Sequence, residues 1–402
     1  MCRTARRPPA PTGSDRPNRS PAGRASAATA NAPSAPQLAL EGVPDEVRRV
    51  FGYPDKEPQS EDCLTVNVWT PGLGPGERRP VMVWLHGGGF STGSGNHPGY
   101  DGRRLAQRGD VVLVNVNHRL GALGYLFLGD LAGAGFEGSG NVTIFGESGG
   151  GGKANTLMAI PDARGLFHRA ICMSGVAGGP MDLPTRVPAT ETARALIDEL
   201  GFDPSDAAAL QAVPVARLHE AELAVASRRS APISLGGLTW TPVVDGAVLP
   251  EPPFDAVRDG RAADVPLLVG TTAHEASMFA MADPAFFTMD DDALAARLGG
   301  FVGEGASALL AAYRAGRPSA TNQELLVAAM TDWMMRVPSI ALAERRLESG
   351  GSPVWMYLFA WETPALGGML GACHALDVPC MFHMPDHAPI TGDYPESRPP
   401  CS

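Results

Sequence analysis

The chain has 402 residues, 44% of them apolar, enough to bury a large core and to exclude a disordered or fibrous protein. Its formal charge of −11 argues against nucleic acid as a partner, since phosphate binding needs a basic face that displaces counterions. Small neutral or cationic ligands stay open.

Residues 1–37 are rich in Pro, Ala, Ser and Arg and almost lack large apolar side chains, so they cannot repay the entropy of ordering and read as a disordered tail. The start Met1-Cys2-Arg3-Thr4-Ala5-Arg6-Arg7 runs into prolines instead of an apolar stretch. With no signal peptide or membrane span in the pattern, the expected location is cytoplasmic. Short β-branched runs then alternate with helical stretches. The runs are Leu64–Val68, Val81–Leu85, Val111–Val116, Val142–Phe145, Val265–Val269 and Val354–Phe359, the signature of an α/β fold with a mostly parallel sheet wrapped by helices.

Between Pro188 and Ser227, and from Asp290 to Ser349, apolar residues recur at helical spacing, with the capping-box pattern Thr321-x-x-Glu324 as one start signal. These stretches predict a helical cap from about 188 to 350 within one domain spanning 38–384, followed by a proline-rich tail over 385–402. Six cysteines, at 2, 63, 172, 373, 380 and 401, lack paired metal-ligand spacing and read as ordinary thiols. Only Lys56 and Lys153 are lysines among 32 basic residues, a bias that points to G+C-rich coding and a bacterial source.

Acyl transfer needs an activated hydroxyl, a base for its proton, an acid to orient that base and fixed donors for the oxyanion. The pattern G-x-S-x-G occurs at Gly89-Phe90-Ser91-Thr92-Gly93 and at Gly146-Glu147-Ser148-Gly149-Gly150. Only the second follows a strand-like run and precedes a stretch able to form a helix, the setting of a nucleophile elbow, so Ser148 is the candidate nucleophile and Ser91 a loop residue. His86-Gly87-Gly88-Gly89 follows another strand, and its glycines let backbone N–H groups turn toward a carbonyl without a Cβ in the way. Gly88, Gly89 and Gly149 are the candidate oxyanion donors, and His86 reads as structural. A phosphate-binding loop is the weaker reading, because no GK[ST] or G-x-G-x-x-G frame follows.

With these motifs in place, the chain is similar to the type B carboxylesterase family, which includes cholinesterases and bacterial para-nitrobenzyl esterases. The likeness rests on Ser60-Glu61-Asp62-Cys63-Leu64-Thr65-Val66-Asn67-Val68-Trp69-Thr70-Pro71, Trp84-Leu85-His86-Gly87-Gly88-Gly89-Phe90, Asn117-His118-Arg119-Leu120-Gly121, Phe145-Gly146-Glu147-Ser148-Gly149-Gly150 and Gly165-Leu166-Phe167-His168-Arg169-Ala170. Pro242-Val243-Val244-Asp245-Gly246 and Gly270-Thr271-Thr272-Ala273-His274-Glu275 keep the same order. The resemblance implies an α/β-hydrolase fold, with Glu275 as triad acid and His374 as base, in the chain order Ser, acid, His. Asp245 and Asp264 are rivals for the acid. Glu147 and Ser174 would be supporting residues, Ser174 by holding the acid. His383 and His387 have H-x-x-x-H spacing, but Pro385 spoils a helix there, so no metal is expected.

What the resemblance implies is a serine carboxylic ester hydrolase acting through an acyl-enzyme on small to medium esters, without a cofactor and with a small-molecule ester as its partner. Oligomeric state is not readable. The connection Asn117–Asn141 is glycine-rich where the family carries a further helix, and Gly129–Gly140 lacks helical period, which predicts an apolar sheet face exposed beside the nucleophile strand or a local rearrangement. The chain also lacks the family's opening strands and its closing strand and helix. The glycines at 149–152 should weaken the following helix by about 1 kcal/mol for each interior one, relative to alanine. These departures leave a second reading open: a catalytically impaired or inactive product of a truncated, internally deleted gene, or a non-catalytic binding relative.

Overall fold

A computed structural model describes residues 33–37, 49–50, 57–72, 79–125, 142–202, 212–228, 240–386 and 388–392. Residues 1–32 and 393–402 of the expected tails, the Gly129–Gly140 stretch, Lys56 and His387 lie outside them.

Seven strands form one sheet: β1 (Val66–Trp69), β2 (Val81–Leu85), β3 (Val112–Val116), β4 (Val142–Glu147), β5 (Arg169–Met173), β6 (Leu267–Thr272) and β7 (Val354–Phe359), in the order β1-β3-β2-β4-β5-β6-β7. Only β1 runs antiparallel to its neighbour; every other pair is parallel. A mostly parallel sheet has to be covered on both faces. Because side chains alternate along a strand, Ile144 and Phe145 of β4 enter different cores. Ile144 joins Met158, Phe167, Phe254, Leu267, Val269 and Leu342, whereas Phe145 packs with Trp84, Leu113, Met173, Val378 and Phe382. The Trp84 ring meets Tyr100, Phe145 and Phe382 at 5.0 Å each.

The helices described in full are α1 (Arg103–Gly109), α2 (Gly121–Tyr125), α3 (Gly149–Ala159), α4 (Arg186–Leu200), α5 (Val215–Arg228), α6 (Pro253–Arg258), α7 (Ser277–Met281), α8 (Asp291–Val302), α9 (Ala306–Gly316), α10 (Asn322–Thr331), α11 (Val337–Glu348) and α12 (Asp377–Met381). The two helical stretches expected from the sequence fold as α4–α5 and α8–α11, with β6 between them in the chain. Thr321 and Glu324 form a reciprocal capping box at the start of α10. A π-turn over Asp332–Arg336 joins α10 to α11. The resulting run Asn322–Glu348 is long and apolar enough to cross a membrane by composition, but 61% of its apolar window is buried inside the protein, as in a core helix.

Three expectations need correction. Of the two outcomes expected beside β4, the exposed face is not found: Thr143 to Glu147 are all buried, because α3, α6 and α11 cover one side and the Trp84–Phe382 cluster the other, and the stretch that would carry a local rearrangement lies outside the described residues. Exposed apolar side chains sit instead on the outer strands, at Val66 and Val68 of β1 and at Trp355, Met356 and Leu358 of β7. Second, Ser34 and Ala35, assigned to the tail, are buried, and Ser34 pairs with Gln59 in a bridge. Gln37 accepts from Gly93 N at 2.8 Å and donates to Gly93 O at 3.0 Å, so it fixes a loop of the domain. At the other end Pro389–Thr391 forms a short 3₁₀ turn with Ile390 and Thr391 buried. Third, the glycines after Ser148 are not a simple weakness. A Cβ on Gly150 would lie 1.8 Å from Leu85 O, and one on Gly151 2.4 Å from Gly175 O, so alanine could not replace them at a gain.

Candidate active site

Ser148 sits on the turn between β4 and α3 with φ 56° and ψ −122°, a conformation that a residue carrying a Cβ adopts only under compulsion from its surroundings. The compulsion is visible. Ser148 N donates to Met173 O at 2.8 Å, a Cβ on Gly175 would come 1.9 Å from Ser148 O, and one on Gly149 would come 2.1 Å from Gly89 O. Only glycines let three backbone segments close on the turn this tightly. Ser148 is half-buried, and its hydroxyl makes no hydrogen bond among the described residues.

The His86–Gly89 loop lies over this turn, with Gly88 and Gly89 at φ 92° and 61°. Among the described residues, the N–H groups of Gly88, Gly89 and Gly149 have no acceptor. The carbonyls of the loop, in contrast, are all taken. Gly88 O accepts from Ser91 N at 3.3 Å, Thr92 N at 3.1 Å and Thr92 Oγ1 at 3.2 Å. Gly87 O lies 2.8 Å from His86 Nδ1. Burial holds His86 well below the usual histidine range, with His118 next in effect, so the ring is neutral and Nδ1 carries the donated proton. It stacks on His118 at 4.5 Å, which burial pushes down to about 3.

On the opposite side, the segments carrying Glu275 and His374 are zipped together: His274 N donates to Ala372 O at 2.8 Å, and Ala372 N donates to His274 Nδ1 at 3.0 Å. This brings His374 Nδ1 to 2.7 Å from Glu275 Oε2, while Glu275 Oε1 accepts from Thr272 N at 2.6 Å. Arg336 anchors the same turn by donating to Thr272 O at 3.1 Å and Ala273 O at 3.0 Å. Asp245 instead caps its own turn, accepting from Ala247 N and Leu249 N at 2.9 Å each.

His374 Nε2 lies 3.0 Å from Glu147 Oε1 and not in a hydrogen bond with Ser148. It is not a hydrogen bond, since Glu147 Oε1 is left without a hydrogen-bond partner, and the contact is one of charge and proximity. A Cβ on Gly87 would lie 2.8 Å from Glu147 Oε2 and 3.4 Å from Ser148 Cβ, so the carboxylate and the serine flank one point on the floor of the site. Burial would lower His374, but the Glu147 charge and the Glu275 hydrogen bond outweigh it and hold the ring up to about 9. Burial likewise pushes Glu147 up, to about 8, against the pull of His374. Asp377, pushed up to about 6 mainly by burial, accepts from Tyr357 Oη at 2.6 Å beside this cluster.

Ser174 does not support the acid as expected. It is buried at φ 47° and its N donates to Gly270 O at 2.8 Å, but its hydroxyl has no partner. Glu147 enters more directly than its neighbouring place in the Ser148 motif suggested. Lys153 was missed altogether: its Nζ, buried under the loop, donates to Gly89 O at 2.8 Å and His86 O at 3.2 Å. Its rarity in a chain with only two lysines was the one available signal. Among the described residues no group of three or more His, Cys, Asp or Glu is placed to hold a metal.

A mostly parallel sheet that delivers a strained serine at the end of its central strand, opposite an acid–histidine pair, is the architecture of an α/β-hydrolase. The sequence model of the carboxylesterase family matches residues 15–141 and 134–397. The para-nitrobenzyl esterase of Bacillus subtilis is 34% identical over 83% of this chain and 69% of its own length. The phenmedipham hydrolase of Pseudarthrobacter oxydans is 33% identical over 88% of this chain and 72% of its own. Among solved structures, a para-nitrobenzyl esterase superposes with a TM-score of 0.71 at 31% identity, covering 91% of this chain and 75% of that one. A carboxylesterase of Geobacillus stearothermophilus also gives 0.71, at 32% identity over 86% and 74%. The chain belongs to the carboxylesterase family and is a carboxylic ester hydrolase.

Proposed function

We propose that the protein hydrolyses small to medium carboxylic esters through an acyl-enzyme on Ser148. The observation that carries this reading is the strained Ser148 turn, φ 56° and ψ −122°, facing the unclaimed N–H groups of Gly88, Gly89 and Gly149. Ser148 Oγ attacks the ester carbonyl while His374 Nε2, turned from Glu147 toward the hydroxyl, takes its proton. Glu275 holds the imidazole by Nδ1 and stabilises the cation that forms. The three N–H groups receive the oxyanion, the alcohol leaves with the proton returned by His374, and a water activated by the same ring releases the acid. The relatives named para-nitrobenzyl esterase and phenmedipham hydrolase suggest para-nitrobenzyl esters and phenmedipham as the first substrates to be tried.

Hydrolysis of a para-nitrophenyl ester by the purified chain, beside its Ser148→Ala variant with circular dichroism to confirm folding, tests the reading. The variant should lose roughly three to six orders of magnitude in rate. Equal rates would remove Ser148 from the chemistry.

A further inference from the structure

We propose that Lys153 is a positioning residue of the oxyanion site: its ammonium clamps the His86–Gly89 loop from below and locks it to the helix that carries Ser148. The inference rests on the reading of Ser148 and the three N–H groups given above.

The geometry is that of a bracket. Lys153 lies on α3, on the helix that Ser148 opens, and its Nζ reaches Gly89 O at 2.8 Å and His86 O at 3.2 Å, the carbonyls at the two ends of the glycine loop. Between them Gly87 O is held by His86 Nδ1, and Gly88 O by Ser91 and Thr92. In a planar trans peptide the N–H points opposite to the preceding C=O. Holding Gly87 O and Gly88 O therefore aims the N–H groups of Gly88 and Gly89 the other way. Lys153 fixes the outer peptides on which that pair hangs, so every carbonyl from His86 to Gly89 is tied.

Glycines are the residues least able to keep such an alignment unaided, because they have the most backbone freedom to lose. Removing the bracket would return that freedom to the loop where rigid donors matter most. The cost of the device is also evident. Burial pulls the Lys153 amine down to about 7 against the opposing charge of Glu147, and its stem runs beside the Phe90 ring, with Nζ 5.1 Å from the centroid. An amine under that pressure would be replaced by an apolar residue at a gain in stability, unless its donors were needed where they are.

The test compares Lys153→Met with the wild-type chain on matched ester and thionoester substrates, with active sites counted by fluorophosphonate labelling. A thiocarbonyl sulfur is larger and a weaker acceptor than oxygen, so the ester-to-thionoester rate ratio reports how rigidly the N–H groups are held. We expect kcat per labelled site on the ester to fall about 10²-fold, with KM changed less than threefold, and the ratio to fall with kcat. Lys153→Arg, which restores charge and donors, should recover part of both. If Lys153→Met does not fold, Lys153→Gln takes its place with the same expected fall in the ratio. An unchanged ratio in a folded variant, or a loss confined to KM, overturns the proposal while leaving the role of Ser148 intact. Full activity in Ser148→Ala would remove both.

Discussion

The two walls of the site are built from different materials. The nucleophile wall is backbone: glycines at 87, 88, 149–151 and 175 allow contacts that no Cβ would permit, and the unclaimed donors are amide hydrogens that do not titrate. The acid–base wall is made of side chains that do, with Glu147, Glu275, His374 and Asp377 all buried together. The first wall owes its strength to shape, with the Lys153 amine beneath its loop as a titrating support; the second owes it to charge held out of water, and Glu147, His374 and Asp377 move far from their ordinary titration. Substitutions should therefore fail by steric collision on one wall and by misplaced protons on the other.

The largest break is expected on the charged wall. Glu275→Gln keeps the size of the acid but offers His374 Nδ1 the wrong partner, and kcat should fall about 10⁴-fold with little change in KM, read by steady-state ester hydrolysis. On the backbone wall Gly150→Ala drives a methyl onto Leu85 O, and thermal melting should show a loss of about 3 kcal/mol, with labelling of Ser148 lost in proportion. Tyr357→Phe removes the donor that Asp377 relies on and should destabilise by roughly 1–3 kcal/mol. That loss should grow above pH 6, where the buried carboxylate ionises, since its folded value is raised to about 6 from an ordinary 3.8.

The finest distinction concerns Glu147. Its negative charge favours the protonated ring of His374, and a ring that already holds a proton cannot serve as base. Glu147→Gln should lower the His374 value and move the acid limb of the kcat/KM profile to lower pH, by about one unit. A limb that stays in place would mean that Glu147 does not set the ring's proton affinity.

What the sequence disclosed divides along the same line. The strand-turn-helix around Ser148 and the glycine loop after β2 were legible because backbone strain demands particular residues at particular places. The central strands were legible because burial on both faces leaves continuous apolar runs. β5 (Arg169–Met173) was not among the expected strands: it is short, and the charged Arg169 opens it. The link between His374 and Glu147 could not be read, since they lie 227 positions apart in the chain and proximity is a property of the fold. Lys153 was invisible for a related reason: its partners are carbonyl oxygens, which every residue possesses. Ser174 shows the reverse error, a residue in the right neighbourhood whose hydroxyl finds nothing to hold.

The π-turn at Asp332–Arg336 sets a different kind of limit. One residue more or less in a helix turns everything beyond it by about 100°. Deleting any one of these five would swing Leu342 and Ala343 of α11 out of the core beneath the sheet and withdraw Arg346, buried there, from the carbonyls of Ala263 and Val265. The outward positions of this helix can change their spelling freely, but the helix cannot change its length.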